Sequence, residues 1–126
     1  MSKQANKQML VGVSDLFFTV KIQDSARRAL MVCEIVKSKE DLLEKAKTGP
    51  ALIILDLNFD GIEPVKMISA IKKMPEAKGT NIIAFVSHIQ AELKKEAQNA
   101  GCDMVLARSA FSQNLPQILR RYTGVM

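Results

Sequence analysis

The chain has 126 residues, 48% of them hydrophobic and 25% charged, with a net charge of +5 and a pI near 9.4. That length suits one domain with a single core, and no apolar stretch reaches the roughly twenty residues that span a bilayer. The positive balance favours encounter with acidic partners without defining a ligand. Cys33 and Cys102 lie far apart, with no metal-ligand spacing and no cysteine–histidine cluster, and both are read as reduced, buried small hydrophobes. The stretch from Met1 to Gln8 is polar and lacks the apolar region of a signal peptide. A cytoplasmic protein is therefore expected, one domain over residues 1–126, with residues 1–7 flexible.

In chain order, a first strand is predicted from about Gln8 to Val13. A helix follows from Asp15 to about Leu30, with Phe18, Ile22, Ala26 and Ala29 at helical spacing. The second strand is Met31 to Val36, where Glu34 interrupts the apolar run and suits a sheet edge. Ser38 caps a second helix, with Asp41 as a partial capping box, and Gly49-Pro50 ends it. The third strand is the run Ala51-Leu52-Ile53-Ile54-Leu55 ending at Asp56.

Asn58-Phe59-Asp60-Gly61 reads as a turn, and Pro64 fits the first turn of a third helix. The apolar face of that helix is assigned to Val65, Ile68 and either Ile71 or Ala70, with Pro75 as its stop. Ala77 to Thr80 leads into a fourth strand, Ile82 to Val86. A helix from about Gln90 to Ala100 turns Leu93, Ala97 and Ala100 inward and stops at Gly101. A fifth strand, Met104 to Ala107, precedes a last helix from Ser112 or Asn114 to Tyr122, with Pro116 in its first turn.

Five strand–helix units in sequence imply an α/β fold: a doubly wound parallel five-stranded sheet with helices on both faces. One common strand order, 2-1-3-4-5, has its switch point between strands one and three, where such sheets place their ligands. Those strands deliver Asp15 and Asp56. The fourth delivers Ser87 and His88, and the fifth Arg108 and Ser109.

With these residues in place, the chain resembles a bacterial response-regulator receiver domain, of flavodoxin-like fold, over almost its full length. The resemblance implies that Asp56 is the phosphoacceptor and that Asp15, Asp56 and the Asn58 carbonyl are the candidate Mg²⁺ ligands. It makes Ser87 and Arg108 the phosphate-contact or switch residues, flanked by Ser14, His88 and Ser109. Ser14 stands where receivers carry the first acid of a pair, and Arg108-Ser109 replaces their lysine–proline. The loop after Asp56 lacks the usual methionine–proline, and Val105 replaces a common aromatic.

The loss of one carboxylate should weaken Mg²⁺, which phosphoryl transfer needs to neutralise developing charge. Arg108 is a rigid, permanently charged fork suited to bidentate pairing with a carboxylate, and either Asp56 or Asp15 qualifies as its partner. The expectation is a degenerate, stand-alone pseudo-receiver that signals by protein–protein contact and is not an enzyme, with Mg²⁺ weak or absent. A working receiver taking phosphate from a histidine kinase in a two-component phosphorelay is one alternative. A small-ligand-binding flavodoxin-like protein is another, although no glycine-rich phosphate loop follows the first strand. The expected partner is a histidine kinase or a downstream signalling protein. A homodimer is left open, and neither membrane nor nucleic acid is expected, because the paired basic residues are scattered over four helices. His88 is read as a loop histidine at the site's edge, and Phe17 as beside the crevice or packed under a loop.

Overall fold

The computed structural model describes residues 7–87 and 90–123, with side chains to Arg121. The strands are β1 (Gln8–Gly12), β2 (Val32–Ile35), β3 (Leu52–Asp56), β4 (Asn81–Val86) and β5 (Met104–Ala107). They alternate with α1 (Leu16–Arg28), α2 (Lys39–Ala46), α3 (Pro64–Lys72), α4 (Ala91–Asn99) and α5 (Arg108–Thr123). All pairings are parallel and the strand order is β2-β1-β3-β4-β5, as expected from the alternation. Glu34 does lie on an edge strand.

Period-two alternation divides the sheet's side chains between two cores. Leu10, Ile53, Leu55, Ile82 and Ala84 pack with Leu42 of α2, Ile68 and Ile71 of α3 and Ala97 of α4. Met9, Val11, Leu52, Ile54, Ile83 and Phe85 pack with Phe18, Ile22 and Ala26 of α1 and Phe111, Leu115 and Leu119 of α5. Every residue of β3 is buried, Asp56 included. Because Asp56 follows Leu52 and Ile54 in alternation, its side chain falls on the face covered by α1 and α5. Gly12 is fixed by close packing: a Cβ there would sit 2.9 Å from Ile62 Cδ1 and 3.0 Å from Leu55 Cδ2.

Local chemistry sets the helix starts. Asp15 caps α1 by accepting the Phe18 N–H, and Ser38 caps α2 by accepting the Asp41 N–H. Three expectations need correction. The inward face of α3 includes Met67, whereas Val65 and Ala70 are only half-buried, and Ile71 is the buried member of its pair. Phe17 packs under no loop and is 89% exposed. The last helix begins at Arg108, so Pro116 lies inside it. Burial of Phe111, Leu115, Ile118 and Leu119 on one stripe extends the helix back through Ser112. Pro116 sits on the solvent side, where water can take the carbonyl that its missing N–H leaves. Of the terminal segment expected to be flexible, residues 1–6 lie outside the described residues.

Leu30, directly after α1, has φ +61° and is 65% exposed. The Met31 N–H reaches back to the Ala26 carbonyl at 2.8 Å, the closure that places a left-handed residue between them. A side-chain-bearing residue pays about 1–2 kcal/mol there, against about 0.5–1 kcal/mol of extra chain entropy for glycine. Leu30→Gly should therefore stabilise the fold by about 0.5–1 kcal/mol, read as a higher denaturation midpoint. A lower midpoint would show that the leucine contributes packing that outweighs its backbone strain.

Candidate functional site

The crevice forms where β1 and β3 end side by side and the chain departs to opposite faces of the sheet. Register pairs Gly12 with Leu55 and Asp56 with Phe85, so Ser14, Asp15, Asp56 and Ser87 must lie at one end of the sheet. β5 adds Arg108 at the same end. The residues singled out from sequence thus converge, except His88, which lies outside the described residues. Ser109 is exposed beside them, in the first turn of α5.

Asp56 is 5% exposed. Its Oδ1 accepts the Asn58 N–H at 2.9 Å. Burial pushes the Asp56 carboxyl above its ordinary range; the Asn58 N–H, the Arg108 charge and the nearby Ser14 oppose that shift without cancelling it.

Asp15 divides its two oxygens. Oδ1 accepts the Phe18 N–H at 3.1 Å and Oδ2 pairs with Arg108 Nη2. These contacts, the Phe18 N–H first and Arg108 next, hold its carboxyl below the usual range. Arg108 thus pairs with Asp15 rather than Asp56. Both side chains of the pair are about one-third exposed (33% and 34%), so solvent screens part of their attraction. The guanidinium carbon also lies 4.5 Å from the centroid of the Phe18 ring, within cation–π range. Phe18 rests on Phe85 and Phe111, with centroids at 4.8 and 5.8 Å, and those two rings stack at 4.9 Å.

Asn58 ties the rim together. Its Oδ1 accepts the Ser87 N–H and its Nδ2 donates to Gln90 Oε1, each at 2.9 Å. Its backbone carbonyl accepts the Asp60 N–H at 3.1 Å. As arranged, these groups do not fit a resident Mg²⁺, which demands near-octahedral oxygen coordination. Asp15 faces a guanidinium and a backbone N–H, and Asp56 accepts the Asn58 N–H. Among the described residues no cluster of three His, Cys, Asp or Glu side chains forms.

Sequence reasoning missed the aromatic floor, the Asn58 side chain as a clamp, and Thr19, whose hydroxyl donates to the Asp15 carbonyl at 2.9 Å. A hydroxyl residue four positions after the cap was the available signal for Thr19. The aromatic contacts join three distant segments and left no local trace. Cys33 and Cys102 are free and half-buried, and burial pushes both thiols up to about 11.

No family model matches the chain. It is 28% identical over 90 residues to the signal transduction histidine-protein kinase BarA of Shigella flexneri. That match covers 71% of this chain and 10% of the kinase. Among solved structures, a response regulator from Hahella chejuensis superposes with TM-score 0.83 at 20% identity, covering 94% of this chain and 96% of that one. The chemotaxis response regulator CheY4 of Vibrio cholerae gives 0.78 at 19% identity, covering 91% and 97%. A Burkholderia pseudomallei response regulator, solved with a phosphorylated aspartic acid, calcium ion and citrate, gives 0.77 at 17% identity, covering 94% and 69%. The fold is that of CheY-like receiver domains.

The two acids should respond oppositely to pH. Asp15 has a lowered folded-state pKa, so its stabilising contribution is present above the ordinary value of 3.8 and lost as pH falls through the folded value. Asp56 has a raised one, so its ionisation destabilises the fold as pH rises from 3.8 through the folded value, and fully above it. At neutral pH, Asp56→Asn should raise stability, and Asp15→Asn should lower it. Both effects should fade in acid, read by denaturant titration across pH. A loss of stability in Asp56→Asn would contradict the assignment.

Proposed function

We propose that this chain is a receiver-like signalling module that acts through protein–protein contact, with aspartyl phosphorylation of Asp56 impaired or absent. The observation that carries this reading is the self-satisfied crevice. Asp56 is buried and accepts the Asn58 N–H, while Arg108 occupies the other carboxylate. A divalent cation arriving with a phosphoryl donor would have to compete with Arg108 for Asp15.

A contact surface stands beside the crevice. Leu16, Phe17 and Val20 are exposed on the first turns of α1. Further along that helix Lys21, Arg27 and Arg28 are exposed, and Asp24, the acid among them, pairs with both arginines. An apolar patch with a cationic flank, on a chain of net charge +5, fits a partner helix carrying apolar and acidic side chains. The partner class is a histidine kinase or a downstream signalling protein, and the cellular setting is bacterial cytoplasm. The stretch of similarity to a histidine kinase and the receiver fold support that placement.

The second reading is a working receiver. Asp56 at the carboxyl end of β3, with Asn58 and Ser87 converging on its rim, favours it. There a carboxylate oxygen of Asp56 forms a bond to phosphorus as the bond from phosphorus to the donor's leaving group breaks. Mg²⁺ would draw on Asp15, Asp56 and the Asn58 carbonyl, with Ser87 and Arg108 on the phosphoryl oxygens.

Intact mass after incubation with acetyl phosphate and Mg²⁺ separates the two. The wild-type chain should gain no phosphoryl group. A Ser14→Asp, Arg108→Lys double variant should gain one that Asp56→Asn abolishes. A stoichiometric adduct on the wild type, absent from Asp56→Asn, would establish the working receiver instead.

A further inference from the structure

We infer that the Arg108 guanidinium is the resident cation of this crevice, standing where a divalent ion would and excluding it, and clasping the start of α5 to the start of α1. The inference deepens the proposed function by naming what occupies its site and what that occupant does.

Charge supplies the first argument. The crevice holds two carboxylates, Asp15 and Asp56, from adjacent strand ends, and Arg108 acts on both, directly on Asp15 and at longer range on Asp56. With Ser14 neutral, one guanidinium leaves a single net negative charge. A divalent cation would have to take Asp15 Oδ2 from Nη2, and the displaced guanidinium would stay close enough to repel it.

Geometry supplies the second. Arg108 Nη2 pairs with Asp15 Oδ2, and its central carbon stands over the Phe18 ring, 4.5 Å from the centroid. Phe18 cannot yield, because Phe85 and Phe111 pack behind it and both are essentially fully buried. A lysine ammonium is a point charge on a flexible stem and lacks the planar fork of arginine. Position supplies the third. Arg108 opens α5, the helix end where the macrodipole disfavours a cation. A positive charge there needs a compensating partner, and Asp15 is that partner. Asp15 is itself favourably placed as the cap of α1. One ion pair therefore corrects an adverse charge on one helix while its acid caps another.

Removing the guanidinium should expose a cation site that the wild type lacks. Manganese uptake by the full chain, followed through the resonance of free Mn²⁺, tests this. The wild type should leave the signal close to that of buffer. Arg108→Gln should bind one Mn²⁺ at least about tenfold more tightly than wild type, and Asp15→Asn in that background should abolish the gain. Equal binding by wild type and Arg108→Gln would overturn the inference, as would no binding by an Arg108→Gln chain that still melts cooperatively. Should Arg108→Gln fail to fold, Arg108→Lys carries the test: intermediate uptake supports the inference and none overturns it. Failure here is distinguishable from failure of the proposed function. A wild type that ignores Mn²⁺ yet accepts phosphate overturns impaired phosphorylation and leaves Arg108 as the resident cation. A wild type that binds Mn²⁺ but accepts no phosphate does the reverse.

Discussion

One carboxylate, Asp15, joins the beginnings of the two helices that cover one face of the sheet. Its first oxygen satisfies a backbone N–H that α1 leaves open, and its second holds the cation that opens α5. The pair is partly solvated, so its importance lies less in raw strength than in what it positions. With Arg108 paired to Asp15 above Phe18, Asp56 is left with the Asn58 N–H as its donor. The chemistry of the crevice follows from that division.

Burial and charge act on the two acids in opposite senses. Asp15 sits at a helix start with a cation beside it, and ionises readily. Asp56 ends a strand buried on both faces and is held towards its neutral form. A nucleophilic carboxylate needs to be charged and a phosphoryl acceptor needs a counter-ion within reach. Burial thus works against the charged form at Asp56, whereas Asp15 is charged and turned to Arg108. That contrast supports the proposal of a signalling scaffold.

Much of the fold was legible because parallel strands buried on both faces read as unbroken apolar runs, as in Leu52 to Leu55, whereas edge β2 carries Glu34. Ser38 marked a helix start by cap chemistry that depends only on local sequence. Pro116 misled for the same reason. Its local preference for a helix start was overridden by burial of Phe111 and Leu115, a property of the packed face. In the site, the convergence of Asp15, Asp56, Ser87 and Arg108 followed from strand order alone. The choice of Asp15 by Arg108 did not, because both acids end neighbouring strands. What favours Asp15 is the ring of Phe18 below the guanidinium, a contact between segments that no spacing rule connects.

The most direct test of this account is a double-mutant cycle on Asp15 and Arg108, using Asp15→Asn and Arg108→Gln, with stability measured by denaturant titration at low and high salt. If the pair organises the crevice, the double variant loses less than the sum of the single losses, and the difference shrinks at high salt and in acid. Strictly additive losses, unchanged by salt, would mean that Arg108 and Asp15 act independently, and the clasp between α1 and α5 would have to be abandoned.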